Sequence, residues 1–172
     1  MELIDAITRR RSVRDFTEKE VDTDTLIKIL NYANLAPSAG NLQARDFIIV
    51  KDKDIRYALS EAALGQHFVA EAPANIVVCA NLKRISPYGS RGRNLYCIQD
   101  TAAATDHILL LALEYGLSTC WVGAFSESEV SEILDLPSYI RPVAIVPIGY
   151  PRSIPKSPPR RDIKEMIHFD SW

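Results

Sequence analysis

The chain has 172 residues, 47% of them hydrophobic and 24% charged, with a net charge of −2. This suits one globular domain, residues 1–172, with a core of its own. It excludes a polybasic nucleic-acid protein, whose phosphate contacts need a surplus of cations.

"ELIDAITRR" reads as a short helix with Leu3, Ile4 and Ile7 on one face. Four arginines follow within six positions: Arg9, Arg10, Arg11 and Arg14. Like charges so close repel one another unless an anion or solvent intervenes. A second helix starts near Asp22 as N-cap, carries Leu26, Ile27, Leu30 and Ala33, and stops at "APSAGN", where Pro37, Gly40 and Asn41 favour a turn. "RDFIIVKD" is a strand, "DIRYALSEAAL" a helix, and "ANIVVCAN" a strand whose unbroken apolar centre indicates burial on both faces.

Residues 84–94, "RISPYGSRGRN", read as a loop. A long helix over residues 95–115 follows, ended by Gly116 and apolar nearly all round from Ala102 to Leu113. Such a helix is central to the domain or buried against a second subunit. "STCWVGAF" is a short strand running into a loop, "SESEVSEILDL" a capped helix, and "RPVAIVPIGY" a last strand. The proline-rich tail, residues 151–172, has no useful helical stripe and is expected to run extended over a surface. Few strands interleaved with helices give an α+β class with a central mixed sheet flanked by helices.

Cys79, Cys97 and Cys120 have neither zinc spacing nor an even disulfide count, which fits a reducing compartment. The N-terminus shows no apolar leader, and the longest apolar run of the long helix is six residues. No membrane association is therefore expected, and the expected location is the cytoplasm. P-loop, Rossmann and nucleophile-elbow motifs are absent, and His67, His107 and His168 have no metal-ligand spacing, so no metal is expected. Without hydrolytic machinery, an enzyme of this sequence would borrow its reactive group from a cofactor. Arginine forks and Ser12 suit a phosphate, a second cationic pair stands at Arg160 and Arg161, and "PSAGNLQ" offers amides for the edge of a heterocycle.

Taken in order, "RRSVRDF" (10–16), "LAPSAGNLQARDFIIV" (35–50), "FVAEAPANIVVCA" (68–80), "QDTAAATDHILLLALEYGLSTCWVGAF" (99–125) and "RPVAIVPIGYP" (141–151) resemble the nitroreductase family of FMN-dependent oxidoreductases. The resemblance implies a compact member with that fold, a homodimer whose long helix lies at the interface, and an FMN at each subunit junction. It assigns the FMN phosphate to Arg10, Arg11 and Ser12, and places Arg14 near the ribityl chain and pyrimidine edge. Arg160 and Arg161 correspond to the family's C-terminal basic element, with Lys156 as a competing candidate. Pro37, Ser38 and Ala39, with Asn41 and Gln43, form the turn that a partner subunit lays against the flavin. Gln66 meets the pyrimidine edge, and the backbone N–H groups of Gly123 and Ala124 face flavin N5 and O4.

The implied activity is hydride transfer from NADH or NADPH through flavin N5 to a small oxidant, such as a nitroaromatic or quinone, by a ping-pong mechanism. Dehalogenation or oxygen-dependent flavin chemistry is the alternative. No catalytic side chain beyond the flavin is required, Arg14 and Gly123 acting in support. Tyr88, Arg91 and Arg93 lie on the loop that stands where larger members insert helices over the site.

Overall fold

The computed structural model describes residues 2–172. Strands β1 (Arg45–Val50), β2 (Ala74–Asn81), β3 (Ser118–Thr119) and β4 (Ile140–Gly149) form one sheet in the order β1-β2-β4-β3. All three ladders are antiparallel. The parallel component of the expected mixed sheet is a single bridge between Ser12 and Thr119, where the arginine-rich segment runs beside β3.

The helices are α1 (Leu3–Arg9), α2 (Thr23–Ala33), α3 (Lys53–Ala62), α4 (Phe68–Glu71), α5 (Gly89–Arg91), α6 (Cys97–Glu114) and α7 (Glu127–Ile133). Side-chain caps start three of them: Asp22 accepts from the Thr25 N–H, Asp52 from those of Asp54 and Ile55, and Ser126 from that of Glu129. The fully buried β2 divides the core by its period of two. Ile76 and Val78 pack with Leu26 and Ile29 of α2 and Ile108 and Ala112 of α6. Val77 and Cys79 pack on the other face with Leu59 of α3, Val69 of α4 and Val130 of α7. Each of the valine, leucine and isoleucine side chains contributes roughly 1.5–3 kcal/mol through its removal from water.

Helix α6 buries Ala104, Ile108 and Ala112 against the sheet, while Ala103, Leu110 and Leu113 remain half-buried on other sides. Leu3, Ile4, Ile7, Tyr32 and Leu35, from α1 and around the end of α2, are exposed. Part of this surface forms an apolar groove of about 690 Å³ between α1, α2 and α6. Among the described residues, no helix is long and apolar enough to cross a membrane.

Residues 84–94 are more ordered than the loop expected from their glycines and proline. A 3₁₀ turn (Ser86–Tyr88), α5 and a π turn (Gly92–Tyr96) wind directly into α6. Gly92 makes the winding possible, because a Cβ there would stand 2.6 Å from Tyr88 Cβ and 2.9 Å from the Ile85 carbonyl oxygen. After β4, Arg152 anchors the chain: its Nε donates to Asp15 Oδ1 at 3.1 Å and its backbone N–H to the Asp15 carbonyl at 2.9 Å. From Arg152 onward every residue is exposed, including Ile154, Phe169 and Trp172.

Candidate functional site

The arginine-rich segment docks on the end of the sheet through its backbone. The Val13 N–H donates to the Thr119 carbonyl at 2.9 Å, which sets Ser12 beside β3 and leaves Val13 buried beneath. Alternation then turns Ser12 and Arg14 to the side opposite Val13. Both act electrostatically on the Cys120 thiol, as does the charge of Arg10. Burial pushes that thiol above its ordinary value; Arg14, a hydrogen bond with Ser12 and the charge of Arg10 oppose the shift.

Arg14 also lies over the Phe68 ring, 5.7 Å from its centroid. Two residues earlier, Gln66 Nε2 donates to the carbonyls of Ala63, at 2.8 Å, and Ala124, at 3.1 Å. Arg14 and Ala124 are thus each tied to the short stretch of residues 66–68, Arg14 through Phe68 and Ala124 through its bond from Gln66. Gly123 and Ala124 are exposed, and among the described residues their backbone N–H groups donate to no protein acceptor. A Cβ on Gly123 would have only Trp121 Nε1 in reach, at 4.0 Å, so a planar ligand can approach the main chain here.

Arg11 behaves differently. Its Nη1 donates to the carbonyls of Thr8 and Arg10, each at 2.7 Å, and so caps the end of α1. Arg160, Arg161 and Lys156 lie on the exposed tail, and no hydrogen bond or ion pair among the described residues joins them to the arginine cluster.

The second group of expected residues forms a separate structure. Gly40, Asn41 and Gln43 all have positive φ, at 56°, 55° and 49°. Asparagine tolerates this conformation, but glutamine has no such advantage, and the turn is held from outside. Ser38 Oγ accepts from the Gln43 N–H at 3.0 Å, and Asp100 Oδ1 from the Ala39 N–H at 2.9 Å. The buried Arg45 guanidinium donates to the carbonyls of Asn34, Ala36, Pro37 and Asp100 and to Asn34 Oδ1. Burial pulls Arg45 below its ordinary value, and the nearby charge of Asp100 opposes this. Asp100 Oδ2 is buried without a partner. Tyr88 covers the turn closely enough that a Cβ on Gly40 would stand 2.5 Å from its Oη.

Arg45, Asp100 and Tyr88 are the residues that sequence reasoning missed in these roles. Arg45 in a strand and Asp100 in a helix carry no local signal of a turn clasp.

No hydrogen bond or ion pair among the described residues joins the turn to the arginine cluster. The turn is held at the start of α6, through Asp100, whereas the arginine cluster sits on β3, just past the end of α6. From Asp100 to Glu114 the helix axis alone advances about 21 Å, at about 1.5 Å per residue.

The same fold occurs in known proteins, and the sequence has known relatives. A chain of Archaeoglobus fulgidus with the provisional name NADH dehydrogenase/NAD(P)H nitroreductase is 36% identical over 156 residues, covering 88% of this chain and 86% of its own. An FMN reductase [NAD(P)H] of Bacillus subtilis is 28% identical, over 99% of this chain and 74% of its own. Among solved structures, a nitroreductase family protein of Clostridium difficile superposes with a TM-score of 0.88 at 30% identity and covers 100% of both chains. NfrA2 of B. megaterium superposes at 0.92 with 28% identity, over 100% of this chain and 76% of its own. The sequence profile of the nitroreductase family matches residues 7–67 and 63–150, which include the arginine segment, the clasped turn and the loop after β3 that carries Gly123; the chain belongs to the nitroreductase family.

Proposed function

We propose that this protein is an NAD(P)H-dependent, FMN-containing oxidoreductase acting on a small oxidant such as a nitroaromatic or quinone, alternating the two substrates in ping-pong fashion. Bound FMN supplies the chemistry that the side chains lack, accepting a hydride and returning its electrons to the oxidant. The observation that carries this reading is the docking of the Arg10–Arg14 segment on β3 through Ser12 and Val13, a few residues before the uncommitted N–H groups of Gly123 and Ala124. The segment's cations and hydroxyl fit a phosphate, and the main-chain donors fit the edge of a heterocycle.

Arg10 and Ser12 hold the phosphate, with Arg11 joining once its guanidinium leaves the end of α1. Arg14, fixed against Phe68, presents positive charge where reduction builds negative charge; a preorganised cation in a partly dry site is worth more there than in water. Gln66 is held by two carbonyls through Nε2, which leaves its Oε1 free to accept. Gly123 keeps the approach to the main chain open.

The site is completed by a second copy of the chain. The Pro37–Ser38–Ala39 turn, with Asn41 and Gln43, cannot reach the arginines of its own chain along α6 and serves the partner's cofactor. The half-buried side of α6 and the exposed apolar residues of α1 supply the interface, and the tail carries Arg160 and Arg161 onto the partner.

The deciding experiment is an absorbance spectrum of the purified protein, identification of what heat denaturation releases, and anaerobic addition of NADH or NADPH. The expected result is a flavin spectrum, FMN in about equimolar amount, and bleaching by at least one reduced dinucleotide. A colourless protein that fails to take up added FMN overturns the proposal.

A further inference from the structure

Where the chain leaves β2 and enters β4, the Leu82 N–H donates to the Tyr139 carbonyl at 2.8 Å and brings two loops together. Between them Leu82, Lys83, Ser86, Arg93, Ser138 and Tyr139 line a cleft of about 350 Å³. Its polar side chains are two cations and three hydroxyls; no carboxylate lines it.

The surrounding sequence sharpens the imbalance. Residues 82–99 contain Lys83, Arg84, Arg91 and Arg93 and no acid, in a chain whose net charge is −2. Arg84 is neutralised by Asp46 at 2.9 Å. Lys83 and Arg93 have no ion-pair partner among the described residues; Lys83 Nζ lies 5.7 Å from the centroid of the Tyr139 ring. Two cations without ion-pair partners line one cleft beside three hydroxyls, a set that suits an anion with several oxygens. The space suits a phosphate with its sugar but not a whole dinucleotide, since pockets for drug-sized ligands run from roughly 300 to 1,000 Å³.

A series of contacts leads from the cleft to the turn proposed to serve the partner's cofactor. Arg93 belongs to the π turn, Gly92 of that turn packs on Tyr88, and Tyr88 packs on Gly40 of the clasped turn. We infer that this cleft binds a phosphate monoester, and that the phosphate is the 2′-phosphate of NADPH, the only group by which NADPH differs from NADH. The second half of this inference rests on the oxidoreductase reading above; the anion site does not.

The test compares the wild type with Lys83→Ala/Arg93→Ala, two exposed positions outside the arginine cluster, with FMN added to fill that cluster. Calorimetric titration with adenosine 2′-monophosphate, inorganic phosphate and adenosine reads the site directly. Steady-state KM values for NADPH and NADH read its use. Phosphate-bearing probes bind the wild type and adenosine does not; the double variant loses about tenfold or more in their affinity, as expected for loss of charge-assisted hydrogen bonds. The KM for NADPH rises about tenfold while that for NADH and both kcat values stay unchanged, the pattern of lost uniform binding.

Loss of phosphate binding with an unchanged KM for NADPH keeps the anion site and overturns the dinucleotide as its source. Equal titrations in wild type and variant overturn the site itself. Because the titration needs no turnover, either failure is distinct from failure of the flavin reading, which shows as absence of FMN.

Discussion

The main-chain N–H of Ala39 donates to Asp100 Oδ1 at 2.9 Å, joining a turn and a helix 61 residues apart in sequence. With Arg45, which reaches the carbonyls of Asn34, Ala36, Pro37 and Asp100, this bond fixes the shape of the turn assigned to the partner's cofactor. Replacing Asp100 by Ala leaves a buried donor unpaired and the Arg45 charge uncompensated; the expected cost is about 2–4 kcal/mol. Asp100→Asn keeps an acceptor oxygen and is expected to cost less. Arg45→Lys is not conservative here, since an ammonium cannot span the carbonyls that the guanidinium fork reaches. Urea unfolding midpoints of the three variants check the order.

Arg10 and Ser12 carry the phosphate assignment. Loss of a hydrogen bond to a charged group costs about 1.5–3 kcal/mol, so Arg10→Ala/Ser12→Ala is expected to weaken FMN binding at least about a hundredfold. The thermal midpoint of the apoprotein is expected to change little, because neither side chain supports the core. Flavin fluorescence titration against differential scanning fluorimetry separates the two effects. Normal FMN affinity in the double variant would remove the assignment.

Gly40 combines a φ of 56° with a Cβ position 2.5 Å from Tyr88 Oη. Gly40→Ala therefore incurs a conformational cost of about 1 kcal/mol plus a collision. Adding Tyr88→Phe removes the 2.5 Å contact and is expected to restore most of the collision part, the ring carbons at 3.2 Å and the positive φ leaving a residual loss of about 1 kcal/mol or more. A double-mutant cycle in urea measures the coupling. Strict additivity would show that the two residues do not press on each other.

Glu127 and Arg141 form a bidentate pair at 2.7 and 2.8 Å. The Arg141 hydrogen bond holds the Glu127 carboxyl below its ordinary 4.5, against desolvation. A folded value lower than the unfolded one stabilises the protein fully above the unfolded value, and the contribution is lost as pH falls through the folded value. Both side chains are nearly half exposed, so the contribution is at most about 1 kcal/mol. Glu127→Gln is expected to lower stability by that amount at pH 7 and to match the wild type near pH 3, as read from denaturation at both values.

Truncation before Arg160 removes Arg160, Arg161 and most of the exposed apolar residues of the tail, and keeps Lys156. Dimer stability and FMN affinity are expected to fall together, measured by sedimentation velocity and flavin titration. Retention of both would detach the tail from the site.

Local chemistry is what the sequence by itself determined. The Asp22 cap, the wholly apolar "ANIVVCAN", the stripe of α2 and the stop at Gly116 are each decided within a few residues, by capping, periodicity and turn propensity. The crowded charge of Arg9 to Arg14 beside Ser12, on which the proposed phosphate site rests, was legible for the same reason: residue type and crowding of charge are local. Residues 84–94 were misread as a loop because their glycines signal flexibility locally, whereas Gly92 serves close packing on Tyr88 and Ile85. Only the tertiary structure decided that Ser12 lies beside Thr119, that Gln66 holds Ala124, and that Arg45 and Asp100 clasp the turn from a strand and a helix. These relationships join residues separated by up to about a hundred positions, and no local preference encodes them; they arise when burial of the sheet's two faces fixes where each strand and helix ends.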